Sequence, residues 1–272
     1  MELEIFPDYN ALSAQAADDV IHIVKNKPGA VFCFASGDTP KLSCKLLVEK
    51  AKKEKVDFSQ STFIGLDEWV GIPPGNEGSC HYFFQKFLFD PMQFSKKQVH
   101  LFDALSSDLQ KECSEMDAFI FEKGGIDLML VGIGMNGHIG FNEPGTSFEN
   151  YSHVADLDET TVTVGQKYFH GPMQLGQGIT IGLKHLMQSR KLILMANGDK
   201  KAGVIRKAIE EAVDTAFPAS IAQLHSNCVV MVDKEAAKEL EGTTQKAQGT
   251  LVRRSLGEGG RDKAQDTRGS GV

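Results

Sequence analysis

The sequence has no CxxC pair. Its five cysteines, Cys33, Cys44, Cys80, Cys113 and Cys228, are odd in number and scattered, which argues against a disulfide framework or a cysteine-built zinc site. No signal peptide is recognisable at the start, so reduced thiols and a cytoplasmic location are expected. No apolar run approaches the roughly 20 residues that a bilayer span needs, so no membrane partner is expected. Positive charge is in short supply: 29 Lys and Arg face 36 Asp and Glu, for a net charge of −7. That balance disfavours nucleic acid as a partner but permits a local basic pocket for a small anion. GxGxxG, Walker A and GxSxG motifs are missing. His138, His153, His170 and His185 lack zincin spacing, and no recognisable histidine–carboxylate ligand set is present. A metal site is therefore weakly signalled and a nucleotide is not implied. No internal repeat is evident.

What is present reads as an α/β protein. The 272 residues are 41% hydrophobic and 24% charged, enough to bury a substantial core without disulfides. Apolar runs at 30–35, 61–69, 126–134, 191–198 and 227–233 read as strands, the second running into a loop. Helical patterns at 39–54, 78–92 and 199–213 separate some of them. Strands apolar on both faces and alternating with helices predict a doubly wound, mostly parallel sheet covered by helices on both faces, in a single domain. Residues 1–241 are assigned to that domain. Residues 242–272 have no aromatic residue and no sustained apolar period; they are expected to be a disordered tail, native or foreign to the protein.

Ligands of such sheets bind at the carboxyl ends of strands, and the chemically interesting residues fall there. ASGDTP (35–40) joins a strand to a helix. Its Ser36, Gly37 and Thr39 can offer hydroxyls and backbone N–H groups to a phosphate at a helix N-terminus. The same residues also fit a plain cap, with Asp38 or Thr39 capping and Pro40 first in the helix. LDEWVG (66–71) sets Asp67 and Glu68 just past a strand, as a general base or as a structural acidic pair. GIGMNGHIGFNEPG (132–145) is dense in glycine around His138 and Glu143. There the imidazole could carry protons with Glu143 orienting it, or it could simply be satisfied by a packed loop. Lys200 and Lys201 in GDKKAG, and Lys167 in GQKYF, could neutralise a phosphate or stand solvated. His81 beside Cys80 raises the idea of a thiol–imidazole pair, but neighbours on a helix point apart.

Taken in order, ASGDTP, LDEWVG, GIGMNGHIGFNEPG, GQKYF, GITIGL (178–183), GDKKA and SIAQLHSN (220–227) resemble the glucosamine/galactosamine-6-phosphate isomerase (deaminase) family over about residues 5–240. Among these, the NGHIGFNEPG block is the most specific. LVEKAKKEKVDFSQSTFIGLDEW (47–69), EKGGIDL (122–128), GITIGL and FPASIAQLHSN (217–227) resemble the galactosamine-6-phosphate branch more closely, and two departures tell against glucosamine: Trp69 stands where glucosamine-6-phosphate deaminases typically have tyrosine, and LFDALSSD (101–108) replaces an Asn-Gly-containing segment. The resemblance implies a doubly wound fold and an aldose–ketose isomerisation with deamination, from galactosamine 6-phosphate to tagatose 6-phosphate and ammonia. Its glucosamine counterpart would give fructose 6-phosphate. In this scheme Ser36, Gly37, Thr39, Lys167 and Lys201 hold the phosphate, Asp67 moves a proton between C2 and C1, and His138, oriented by Glu143, opens the ring. Asn136 stands where many members carry a relay aspartate, and Lys167 where arginine is common. No cofactor or metal is implied; a homo-oligomer is a possibility the family allows. Two rivals share the pocket: a hydrolase resembling 6-phosphogluconolactonase, and a sugar-phosphate-binding regulator without turnover.

Overall fold

β2 (Val31–Phe34) is an interior strand of the main sheet, and all four of its residues are buried. Val31 and Cys33 face one apolar cluster and Phe32 and Phe34 the other, the alternation of a strand covered on both faces. The computed structural model describes residues 1–241 and the backbone of 252–255.

In chain order the elements are β1 (Glu2–Phe6), α1 (Tyr9–Asn26), β2, α2 (Asp38–Glu54), β3 (Thr62–Gly65), β4 (Asp67–Trp69), α3 (Cys80–Phe84), α4 (Asp90–Met92), β5 (Val99–His100), α5 (Leu109–Glu122), β6 (Leu128–Gly132), β7 (His153–Asp156), α6 (Glu159–Gly165), β8 (Gln177–Thr180), α7 (Leu183–Gln188), β9 (Leu192–Ala196), α8 (Ala202–Glu210), β10 (Cys228–Asp233) and β11 (Val252–Ser255). The main sheet has the order β11-β1-β10-β9-β6-β2-β3-β5. Every pairing in it is parallel except β1 with β11. The expected doubly wound, mostly parallel sheet in a single domain is what forms. The tail expected to be disordered lies outside the described residues, apart from the four-residue backbone of β11, which pairs antiparallel with β1.

Helices cover both faces. The stripe Leu12, Ala16, Val20 and Val24 of α1, together with Leu47 of α2, packs with Phe32, Phe34 and Phe63, and burying each aromatic ring contributes roughly 1.5–3 kcal/mol. Met116 and Ile120 of α5, Leu183 of α7 and Ile205 of α8 pack on the opposite face with Cys33, Met129 and Val131.

Strand order determines where a ligand can sit. From β2 the chain steps outward through β3 to β5, while β6 begins the return on the other side toward β9 and β10. The winding therefore reverses between β2 and β6. At that point the connections leave a crevice at the strands' carboxyl ends, and ASGDTP and GIGMNGH are the loops that flank it.

Two expectations are refined. The run 61–69 is two strands, not one. After β3 the chain leaves the main sheet at Leu66, and β4 joins a small antiparallel sheet, β4-β8-β7. The helix expected over 78–92 is interrupted by a π-turn at Gln85–Phe89 between α3 and α4. That turn lets the apolar run Phe84, Leu88 and Phe89 stay buried together.

Candidate active site

The phosphate-loop candidate follows β2 directly. Gly37, at φ 106°, turns the chain into α2 and caps it without any side-chain hydrogen bond. The expected capping by Asp38 or Thr39 does not occur: Asp38 is the first helical residue and Pro40 the third. Asp38 instead pairs with Lys167 Nζ at 2.8 Å. The opening turn of α2 thus keeps its N–H groups free of side-chain caps, with the positive end of the helix dipole toward the crevice. A second support comes from Tyr9, whose hydroxyl contacts the carbonyls of Asp38 and Thr39 at 2.7 and 2.8 Å and accepts from the N–H of Leu42 at 3.2 Å.

Lys201 comes from a short 3-10 turn after β9, and its Nζ donates to the Ile133 carbonyl at 2.5 Å. Burial, with the nearby charge of Lys167, pushes its pKa down to about 8. Removing an ammonium from water disfavours the charged form, so a dianionic ligand would be a welcome partner.

The glycine-rich loop 132–145 is shaped around its histidine. A Cβ on Gly134 would lie 2.3 Å from His138 Nε2, so only glycine lets the imidazole sit against the backbone. Gly137, at φ 86°, abuts the Phe217 ring, where a Cβ would come within 2.5 Å; its carbonyl accepts from the Ala219 N–H at 2.8 Å. Buried Asn142 ties the far side of the loop to the carbonyls of Ile139 and Ile181.

His138 Nδ1 lies 3.2 Å from Glu143 Oε2 and 2.9 Å from Thr161 Oγ1. Burial by itself would raise the Glu143 carboxyl, but hydrogen bonds from His138, Thr161 and Asn136 outweigh it and hold it below its usual range. Glu143 is therefore ionised and suited to accept a proton-bearing Nδ1, an arrangement in which Nε2 is the ring nitrogen that faces the cleft side of the loop. Asn136 Nδ2 reaches Glu143 Oε2 at 2.9 Å, Asp158 Oδ1 at 3.2 Å and Thr161 Oγ1 at 3.4 Å. Asp158 is the N-cap of α6.

Asp67 opens β4 opposite Thr180 of β8. The Thr180 hydroxyl accepts from the Phe141 N–H at 3.2 Å, and the ring of Trp69 packs on that of Phe141 at 4.6 Å. The small sheet thus clamps the Asp67 segment to the His138 loop. Burial first, then the neighbouring Glu68 charge, raises the Asp67 carboxyl to about 7, against a lowering contact from Cys80. Glu68 is buried, accepting from the N–H groups of Trp69, Cys80 and His81 at 2.8–3.0 Å.

Ser36, Gly37, Thr39, Asp67, Asn136 and His138 all line one cleft of about 950 Å³, and Lys167 and Lys201 complete its wall. Glu143 stands behind His138, outside the lining. His81 turns away to the Phe102 carbonyl, as helix neighbours of Cys80 should. Thr161, Asp158 and Thr180 are site residues that the sequence reading missed. Asp158 had a signal, an aspartate followed by a helical run; Thr161 and Thr180 had none. Among the described residues, no group of three or more His, Cys, Asp or Glu side chains is placed to hold a metal ion, and no helix is long and apolar enough to cross a membrane.

Comparison with known proteins matches residues 7–231 to the family model described as glucosamine-6-phosphate isomerases/6-phosphogluconolactonase. A glucosamine-6-phosphate deaminase of Clostridium tetani (strain Massachusetts / E88) is 40% identical over 239 residues, covering 88% of this chain and 99% of its own. One of Thermoanaerobacter sp. (strain X514) is 37% identical over 238 residues, 87% of this chain and 94% of its own. Among solved structures, a monomeric glucosamine-6-phosphate deaminase superposes with a TM-score of 0.85 at 32% identity, covering 88% of this chain and all of its own. The 6-phosphogluconolactonase of Trypanosoma brucei shares the fold, with a TM-score of 0.72 at 18% identity over 88% of this chain and 98% of its own.

Proposed function

The chain belongs to the glucosamine-6-phosphate isomerase and 6-phosphogluconolactonase family, and from that premise we propose that it is an amino-sugar-6-phosphate deaminase. It converts a 2-amino-2-deoxy-hexose 6-phosphate into ammonia and the ketose 6-phosphate. The observation that carries this reading is the convergence of Asp67 and His138 on the cleft that the uncapped start of α2 also enters.

The substrate phosphate sits against Ser36, Gly37 and Thr39, with Lys201 and Lys167 supplying charge. His138 Nε2 takes the proton of the C1 hydroxyl and returns one to the ring oxygen, which opens the pyranose. Glu143 stabilises the imidazolium formed on the way, and Thr161 and Asn136 hold the pair in register. Asp67, whose pKa of about 7 suits exchange near neutrality, then removes the C2 proton while the substrate's C2 ammonium passes a proton to O1, giving the enolamine. It delivers a proton to C1. Water adds to the resulting C2 imine, ammonia leaves, and the ketose remains. No electron transfer occurs in this sequence.

For the epimer, galactosamine 6-phosphate is the proposed preference. The support is Trp69, which lines the cleft where the glucosamine branch typically has tyrosine: an indole cannot give the phenolic hydrogen bond that a sugar hydroxyl would use. Glucosamine 6-phosphate is the second reading, favoured by the names of the curated relatives. Ammonia release from the two sugars at matched concentrations tests both. Faster release from galactosamine 6-phosphate is expected, and faster release from glucosamine 6-phosphate reverses the preference. Release from neither, with hydrolysis of a sugar lactone instead, would remove the deaminase reading.

A further inference from the structure

We propose that Cys80 is a positioning residue for Asp67, its thiol joining the Ser36 hydroxyl of the phosphate loop to the carboxyl that moves the substrate proton. The inference rests on the deaminase reading, with Asp67 as the base.

Three contacts carry it. Ser36 Oγ donates to Cys80 Sγ at 3.0 Å. Cys80 Sγ donates to Asp67 Oδ1 at 3.5 Å, within reach of the larger sulfur atom. The backbone N–H of Cys80 donates to Glu68 Oε1 at 3.0 Å. The chain neighbour of Asp67 therefore fixes the backbone of Cys80, and the side chain of Cys80 in turn fixes Asp67. Ser79 caps α3 by accepting from the Tyr82 N–H at 2.9 Å, which settles the helix start from which the thiol projects.

The sulfur is held as a thiol. Burial, followed by the negative charges of Glu68 and Asp67, pushes it well above the ordinary cysteine range. A thiolate is the nucleophile and the redox-active form, so this residue is a donor rather than a reactive group. A donor serves Asp67 in two ways: it restrains the carboxyl's rotation, and it favours the ionised form against the burial that opposes it. When a phosphate draws the Ser36 hydroxyl away, the sulfur loses its incoming hydrogen bond while its S–H goes on donating to Asp67 Oδ1. Anion capture and proton abstraction thus share one atom.

The test is the pH dependence of kcat/KM for ammonia release in wild type, Cys80→Ala, Cys80→Val, Cys80→Ser and Asp67→Asn. Loss of the donor leaves Asp67 harder to ionise, so the acid limb of Cys80→Ala moves to higher pH by about half to one unit, the size expected for one weak hydrogen bond to a charge. Cys80→Val fills the space without a donor and moves the same way, so the result does not hinge on a cavity. Cys80→Ser keeps a donor and returns the limb toward the wild-type position. Superimposable profiles for wild type and Cys80→Val overturn the inference, as does a Cys80→Ser limb displaced as far as that of Cys80→Ala. Asp67→Asn separates the two levels. If it is inactive and Cys80 variants do not shift, the Cys80 inference alone falls. If it turns over undiminished, the assignment of Asp67 falls and takes the inference with it.

Discussion

The two ends of the cleft are built differently. At the proposed phosphate end, the cleft offers backbone N–H groups at the start of α2 and the lysines Lys167 and Lys201. Lys167 and its partner Asp38 have half or more of their side chains exposed, 51% and 67%, so water and salt screen the pair. At the proposed proton-transfer end, His138 and Glu143 are 20% and 8% exposed and bound into a network with Asn136, Thr161 and Asp158. On the proposed function, the difference is between capture and chemistry. A phosphate needs charge and a fixed helix end, and tolerates mobile side chains around it. A proton transfer needs its donor and acceptor at one distance, which only interlocked hydrogen bonds maintain.

The largest loss is expected among the proposed proton-transfer side chains. His138→Gln is expected to lower kcat by about 10²–10⁴-fold, the usual range for losing a general acid–base group, with KM little changed; a variant losing only affinity would erase the contrast. Lys201→Met sharpens the other side. It is expected to reduce kcat/KM roughly 10- to 100-fold, chiefly through KM, as for one charge-assisted hydrogen bond. The wild-type profile of kcat/KM should be a bell, rising as Asp67 ionises near 7 and falling as Lys201 loses its proton near 8. Lysine is charged below its pKa, so Lys201→Arg should carry the alkaline limb to higher pH while leaving the acid limb in place. An unmoved alkaline limb would show that another group controls it.

A smaller effect, about tenfold in kcat, is expected for Asn136→Asp. Nδ2 of Asn136 bridges Glu143 and Asp158; a carboxylate there would face two others, and one of the three would have to take a proton. The deficit should shrink as pH falls and protons become available. A variant as active as wild type at every pH would contradict the expected cost of crowding three carboxyls.

The sequence disclosed the parts of the molecule whose signal is local. β2, β6, β9 and β10 are buried at nearly every position, and such runs read as strands without any tertiary knowledge. His138 was legible because glycines crowd it, and Gly134 and Gly137 are needed where the imidazole and Phe217 press on the backbone. Thr161, Thr180 and Cys80 were not legible as site residues. Each matters through a partner distant in the chain: Thr161 through His138, Thr180 through Phe141, Cys80 through Ser36 and Asp67. The division of 61–69 between two sheets was hidden for a related reason. Thr62–Gly65 and Asp67–Trp69 are almost equally buried, and only the pairing of Asp67 with Thr180 reveals that the chain has changed sheets. The α2 cap misled because Asp and Thr usually cap, whereas here Gly37 does so and Asp38 is drawn to Lys167.

The central claim is that Asp67 moves the substrate's carbon-bound proton. The direct measurement is ammonia release by Asp67→Asn beside wild type, on the better of the two amino-sugar 6-phosphates, at saturating substrate. A fall in kcat of about 10²–10⁴-fold with substrate still bound is the expected result; an unchanged kcat would contradict it.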